Sequence, residues 1–234
     1  MSSVVFFLRK SLVIVFMLML PAVAMAEGGI SIQGTRIIYP LNSRQESLSI
    51  RNSSAADSFL VQSWVENADG SKSRDFVVTP PLYLSGPGNE NILRLIRVAG
   101  SPYQDRESLY YFIAKAIPSV TEGDNSGKAV LRIAAASRIK LFIRPAGLRP
   151  AVDKAPAEMR FRRAGNRLEI INPTPYYITL TEIKAGDISL DGVMVAPVST
   201  ATVSLPAASG SRITFRTIND YGAVSAPVIA RFSS

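Results

Sequence analysis

Polar and apolar residues alternate with a period of two along much of this chain. Phe59, Val61, Ser63 and Val65 share one side of a segment whose other side carries Leu60, Gln62 and Trp64. Ser47-Leu48-Ser49-Ile50-Arg51 repeats the pattern, and Asn52-Ser53-Ser54 then supplies a turn. Such alternation predicts strands that are buried on one face. Short β-rich pieces stand at residues 30–32, 36–39, 76–78, 91–98 and 108–117. Asn67-Ala68-Asp69-Gly70, Thr79-Pro80-Pro81 and Pro87-Gly88 punctuate them as turns. The last segment of this half, residues 129–144, stops at Pro145. With it the first half holds about seven strands at regular spacing, the expectation for an immunoglobulin-like or Greek-key sandwich.

The stretch Pro145-Ala146-Gly147-Leu148-Arg149-Pro150 breaks the pattern with two prolines and a glycine. It predicts a domain boundary, with a linker at 146–151. Strand-like segments then resume at 159–161, 167–171, 176–183, 193–195, 201–205, 212–218 and 226–232. Turns fall at Ala164-Gly165-Asn166, Asp191-Gly192 and Ser209-Gly210. The expected organisation is all-β, with one sandwich over 27–145 and a smaller one over 152–234. Neither half shows a long amphipathic helix or an internal repeat.

Residues 1–26 have a different composition. Arg9 and Lys10 precede an unbroken apolar run at 12–20, closed by Pro21, and Ala24-Met25-Ala26 follows. This is the layout of a secretory signal peptide cleaved after Ala26. A spanning helix needs about 20 apolar residues, and the small residues here replace a basic stop-transfer flank. The expectation is export without a stable membrane anchor.

Composition narrows the chemistry. The chain contains no Cys and no His. Thiolate nucleophiles, imidazole bases and the common Cys/His zinc sites are therefore excluded, and each sandwich must be held by packing. A Ser–Lys or paired-carboxylate enzyme remains formally open, but no such pair stands in a recognisable catalytic context. The net charge is +8. The basic residues are scattered through alternating strands and form no block, so nucleic acid is not the expected partner.

Residues 129–144 are the most informative. Leu131, Ile133, Ala135, Ser137, Ile139 and Leu141 point one way; Val130, Arg132, Ala134, Ala136, Arg138, Lys140 and Phe142 point the other. One apolar and one polar face is the ordinary pattern of a half-buried strand. Two features go beyond it: a length of about 16 residues against a usual 5 or 6, and apolar residues on both faces near its start. A long strand with an exposed apolar row invites pairing with another chain, and a partner lacking a strand is one such occupant.

The motifs in order are Gly34-Thr35-Arg36-Ile37-Ile38-Tyr39, Asp105-Arg106-Glu107-Ser108-Leu109-Tyr110-Tyr111-Phe112, Ile117-Pro118, Arg138-Ile139-Lys140-Leu141-Phe142-Ile143-Arg144-Pro145, Asn172-Pro173-Thr174-Pro175-Tyr176-Tyr177-Ile178-Thr179 and Ile218-Asn219-Asp220-Tyr221-Gly222. Together they resemble the periplasmic chaperones of chaperone–usher pilus assembly, over essentially the whole chain after residue 26. The resemblance implies two immunoglobulin-like sandwiches in an L-shaped or boomerang arrangement around an interdomain cleft. It implies that Arg36 and Lys140 bind the C-terminal carboxylate of a pilus subunit. Leu131, Ile133 and Ala135 match the donor-strand residues inserted into an incomplete subunit, with Ala135 smaller than the family's usual residue. Glu107, Arg144 and Asp220 match a charged trio bridging the domains. The loop at 119–129 suits the short-loop subfamily. Implied partners are fimbrial subunits, an outer-membrane usher and a second copy of the free chaperone; no cofactor is implied. The competing reading is a secreted pilus subunit or adhesin, disfavoured because subunits carry a penultimate Tyr and this chain ends Ala230-Arg231-Phe232-Ser233-Ser234.

Overall fold

Alternating burial organises the chain into two separate apolar cores. The structure, a computed structural model, describes residues 28–99, 103–119 and 133–232. In the first half the strands are β1 (Ile30–Ile32), β2 (Arg36–Pro40), β3 (Gln45–Asn52), β4 (Phe59–Asn67), β5 (Phe76–Thr79), β6 (Leu82–Ser85), β7 (Glu90–Arg97), β8 (Ser108–Pro118) and β9 (Ala135–Arg144). They form one sheet in the order β1-β3-β7-β5 and a second in the order β2-β9-β8-β4-β6. Ile50, Val61, Leu93, Leu95, Phe112 and Leu141 fill the space between them.

The second half contains β10 (Arg160–Ala164), β11 (Arg167–Asn172), β12 (Ile178–Ala185), β13 (Ile188–Leu190), β14 (Val193–Val195), β15 (Ser199–Ser204), β16 (Ile213–Thr217), β17 (Val228–Ile229) and β18 (Arg231–Phe232). Its sheets run β15-β11-β10-β18 and β13-β12-β16-β17, with β14 also paired to β12. Phe161, Leu168, Ile170, Leu180, Ile183 and Phe215 form its core. The helical content among the described residues is one 3₁₀ turn, Ala155–Glu158.

The all-β architecture expected from the alternation is the one observed. Two strands escaped the sequence pattern, β6 and β13. β6 follows Pro80-Pro81 and exposes Leu82 and Leu84, so its apolar row faces away from the core. Residues 133 and 134 precede β9 without strand pairing, so the strand is shorter than the 129–144 expected, and residues 129–132 lie outside the described residues.

Chain crossing near the start determines what β9 touches. β1 pairs with β3 in the first sheet, whereas β2 pairs in parallel with β9 in the second. The chain changes sheets at residues 33–35, where Gly34 adopts φ 107°, a conformation that strongly favours glycine. β2 covers β9 only from Lys140 to Arg144. From Ala135 to Ile139, β9 is paired to β8 alone among the described residues. One strand is thus internal at its C-terminal half and an edge at its N-terminal half.

Each sandwich carries the same buried device. Asn52 Nδ2 donates to the carbonyls of Asp57, Ser85 and Gly86, and its Oδ1 accepts from the Ser54 N–H. Asn172 Nδ2 donates to the carbonyls of Tyr176, Val195 and Ala196, and its Oδ1 accepts from the Thr174 N–H. Both side chains are fully buried. Asn52→Ala and Asn172→Ala each strand several buried backbone groups and are expected to cost about 3 kcal/mol. Urea unfolding at fixed pH measures this, and an unchanged midpoint for either variant contradicts the assignment.

Candidate functional site

The outer face of β9 carries Arg138, Lys140, Phe142 and Arg144, while Leu141 and Ile143 enter the first core. β2 contributes in the same way: Ile37 and Tyr39 point inward, and Arg36 lies on the outer face. Parallel pairing sets Arg36 opposite Lys140. In-register partners share a face of the sheet, so the two cations are brought side by side from positions far apart in sequence.

Arg144 ties the sandwiches together. Its Nε donates to Glu107 Oε1 at 2.6 Å, and Nη1 and Nη2 donate to the two oxygens of Asp220 at 2.6 and 2.8 Å. Glu107 is 2 % exposed. Its other oxygen accepts from the Tyr177 N–H at 2.8 Å, and its own N–H donates to the Pro175 carbonyl at 2.9 Å. Burial pushes the Glu107 carboxyl above its ordinary range, against the opposing pull of Arg144 and the Tyr177 N–H. Burial disfavours charge on Arg144 too, yet the hydrogen bonds and charges of Asp220 and Glu107 hold its pKa above the usual value. Arg144 therefore contacts both of the other bridge residues expected from the sequence, Glu107 and Asp220.

Packing supports the bridge. Phe142 meets Tyr177 at 5.5 Å between ring centroids, and the Arg144 guanidinium stands 5.2 Å from the Tyr176 ring. Tyr176 Oη donates to the Pro150 carbonyl at 3.0 Å, fastening the connecting segment to the second sandwich. Leu148 and Val152 pack on the second core as well. Gly222 lies against Thr35: a Cβ there would sit 2.3 Å from Thr35 Oγ1, and φ is 83°. The Asp220-Tyr221-Gly222 motif thus joins a charge to a close backbone approach.

The two cleft cations are held by neutral groups. Arg36 Nη1 donates to the Ile218 carbonyl at 3.3 Å, and Lys140 Nζ to Thr179 Oγ1 at 3.3 Å. Arg36 Nε is buried with no hydrogen-bond partner among the described residues. Neither cation forms an ion pair among the described residues. Burial lowers the pKa of Lys140, and the Arg36 charge lowers it further. Burial also lowers that of Arg36, countered by Asp220 and Glu107. A buried donor without a partner beside two desolvated cations is an environment that an anion stabilises. Arg36 opens onto a cleft of about 520 Å³ whose lining includes Phe142, Arg144, Tyr177, Ile218 and Asp220. Thr179 and Ile218 stand within the sequence motifs, which assign them no role; they become neighbours of the cations only through the docking of the second sandwich.

Of the other residues singled out in the sequence, Ile133 is 72 % exposed and Ala135 is exposed. With Ser137 they line a smaller pocket of about 220 Å³ against Ile30, Phe59 and Ala116. Leu131 lies outside the described residues, as do the apolar segment at the N-terminus and most of the loop at 119–129.

A family model described as the pili and flagellar-assembly chaperone PapD N-terminal domain matches residues 29–149, and that of the PapD C-terminal domain matches residues 154–228. The chain belongs to the pilus-assembly chaperones. It is 46 % identical over 214 residues to Chaperone protein FimC of Escherichia coli (strain K12), covering 91 % of this chain and 88 % of that one. It is 42 % identical over 218 residues to the probable fimbrial chaperone SfmC of the same strain, covering 93 % and 95 %. The crystal structure of the periplasmic chaperone SfaE superposes with a TM-score of 0.77 at 42 % identity, covering 87 % of this chain and all of that one. The SafB chaperone in complex with the SafA pilin of Salmonella enterica gives 0.79 at 30 % identity, covering 89 % and 98 %. The two immunoglobulin-like sandwiches and the chaperone function expected from the motifs are those of this family.

Replacing Arg144 with Gln leaves the Glu107 carboxylate buried without its cation, at an expected cost of about 3–5 kcal/mol. A carboxyl with a raised folded-state pKa favours folding below its unfolded pKa and loses that contribution as pH rises through the folded value. The Arg144→Gln defect should therefore shrink on acidification and grow above the ordinary carboxylate range. Urea titrations at several pH values test this. Addition of Glu107→Gln should recover much of the loss, and a defect independent of pH and of Glu107 contradicts it.

Proposed function

We propose that the slot beside residues 135–139 of β9 receives a strand of a pilus subunit, whose C-terminal carboxylate is held by Arg36 and Lys140. The observation that carries this reading is the position of β2. It occupies the neighbouring lane of the sheet only from Arg36 onward, so among the described residues the lane is open up to that residue. A strand entering it parallel to β9 would end head-on against Arg36, with its terminal carboxylate beside Lys140. Main-chain hydrogen bonds to the free edge then supply affinity, and the two cations set the register.

The reading assigns Ile133 and Ala135, with Leu131 before them, to the row that completes the subunit's own sandwich. Large exposure of Ile133 in the unpartnered chain supports that role. Glu107, Arg144 and Asp220 fix the second sandwich so that Thr179 and the Ile218 carbonyl flank the cations. The two domains join through 146–151. Residues 1–26 direct export to the periplasm, where the chaperone folds and caps subunits and delivers them to an outer-membrane usher. Pairing between two free copies would cover the same edge.

Periplasmic co-expression with the neighbouring pilin gene tests the reading. A one-to-one complex is expected, and Lys140→Ala or Arg36→Ala should reduce its yield by about tenfold or more while each free variant still unfolds cooperatively. Undiminished capture by both variants overturns it.

The lowered pKa of Lys140 gives an independent check. Its positive charge is lost on raising pH below the range of an ordinary lysine. Affinity for a carboxylate-terminated peptide should fall over that window, and Lys140→Arg should move the fall to higher pH. Isothermal titration across the alkaline range measures both; identical profiles for wild type and variant contradict the assignment.

A further inference from the structure

The alternation of a strand defends register against a slip of one residue, because the wrong face is then presented. It gives no protection against a slip of two. Two residues before Lys140, on the same outer face, stands a second cation, Arg138. If Arg138 reached the open lane it could take the partner's carboxylate and dock the strand two residues short.

The structure holds Arg138 elsewhere. Its guanidinium lies over the Tyr111 ring, 3.3 Å from the centroid, and its Nε donates to Glu66 Oε2 at 3.2 Å. Tyr111 is the β8 residue opposite Lys140, and Glu66 is the β4 residue opposite Tyr111. Arg138 therefore reaches back over β8 to meet a side chain of β4, away from the lane. Glu66 is itself fixed: Trp64 Nε1 donates to its Oε1 at 3.0 Å. Four residues of three strands are thus joined around one carboxylate and Arg138, while Arg36 and Lys140 have no carboxylate partner among the described residues.

We propose that Glu66 is a register-determining positioning residue, drawing Arg138 across Tyr111 so that only Lys140 and Arg36 offer charge to the incoming terminus. The inference rests on the carboxylate-anchor reading above. It identifies the partner's chemistry as a strand ending in a free carboxylate, and it makes Glu66 a device against docking two residues short.

The test uses the full chain and a defined probe: a fluorescent alternating Val–Thr peptide of about twelve residues, with a free C-terminal carboxylate or as its C-terminal amide. Binding of each form is measured by anisotropy. Wild type should prefer the acid by about tenfold or more, and Lys140→Gln should abolish most of that preference. In Glu66→Gln/Lys140→Gln, Arg138 is released and the preference for the acid should return by about fivefold or more. Adding Arg138→Gln should remove it again. A merely structural role for Glu66 does not predict regain of an acid preference. Gln keeps an acceptor for Trp64, and Trp64 is the sole tryptophan of the chain, so its emission checks that the strands remain packed. If Glu66→Gln/Lys140→Gln shows no regained preference, the inference is overturned while the anchor reading stands. If Lys140→Gln leaves the wild-type preference intact, the anchor reading fails and the inference falls with it.

Discussion

A carboxylate buried between two sandwiches is the constraint on which the cleft depends. Glu107 is removed from water yet saturated by Arg144 on one side and the Tyr177 N–H on the other. Moving one sandwich against the other would break those bonds and leave a charge stranded in a low-dielectric setting, which is far more costly than the bridge is stabilising. The bridge is therefore best understood as fixing orientation. Thr179 and Ile218 stand beside Lys140 and Arg36 because Glu107 and Asp220 fix the second sandwich on the end of β9.

The outer face of β9 presents a graded series. Arg144 is paired twice, Arg138 once and over an aromatic ring, and Lys140 not at all among the described residues. Exposure alone would have ranked these groups differently, since Arg138 is the most solvated and Lys140 is half-buried. What distinguishes Lys140 and Arg36 is that they are desolvated with neutral hydrogen-bond acceptors and no ion-pair partner among the described residues, an environment that an anion stabilises. The pKa of each is displaced downward mainly by burial, in agreement with that state.

Much of this was legible in the chain. Alternation in residues 59–65 and 47–51 identifies the inward rows because a half-buried strand leaves that imprint directly. The charged trio and the two cleft cations were accessible through motifs. The edge character of β9 was not, since it depends on β1 leaving for the opposite sheet, and nothing in the alternation of residues 135–139 records a missing neighbour. Strand β6 escaped because its leucines face outward after two prolines. The set Trp64, Glu66, Tyr111 and Arg138 escaped because it is assembled from three strands, with each member unremarkable alone.

The crossing at Gly34 has a consequence for competition. Had residues 30–32 continued in the same sheet as β2, they would have filled the lane beside residues 135–139 themselves. A tethered strand acts as a ligand at an effective concentration in the millimolar range, which few partners in solution could displace. By sending β1 to the far sheet the chain keeps residues 30–32 out of that lane, and under the proposed function the lane is thereby left for a strand supplied by another molecule.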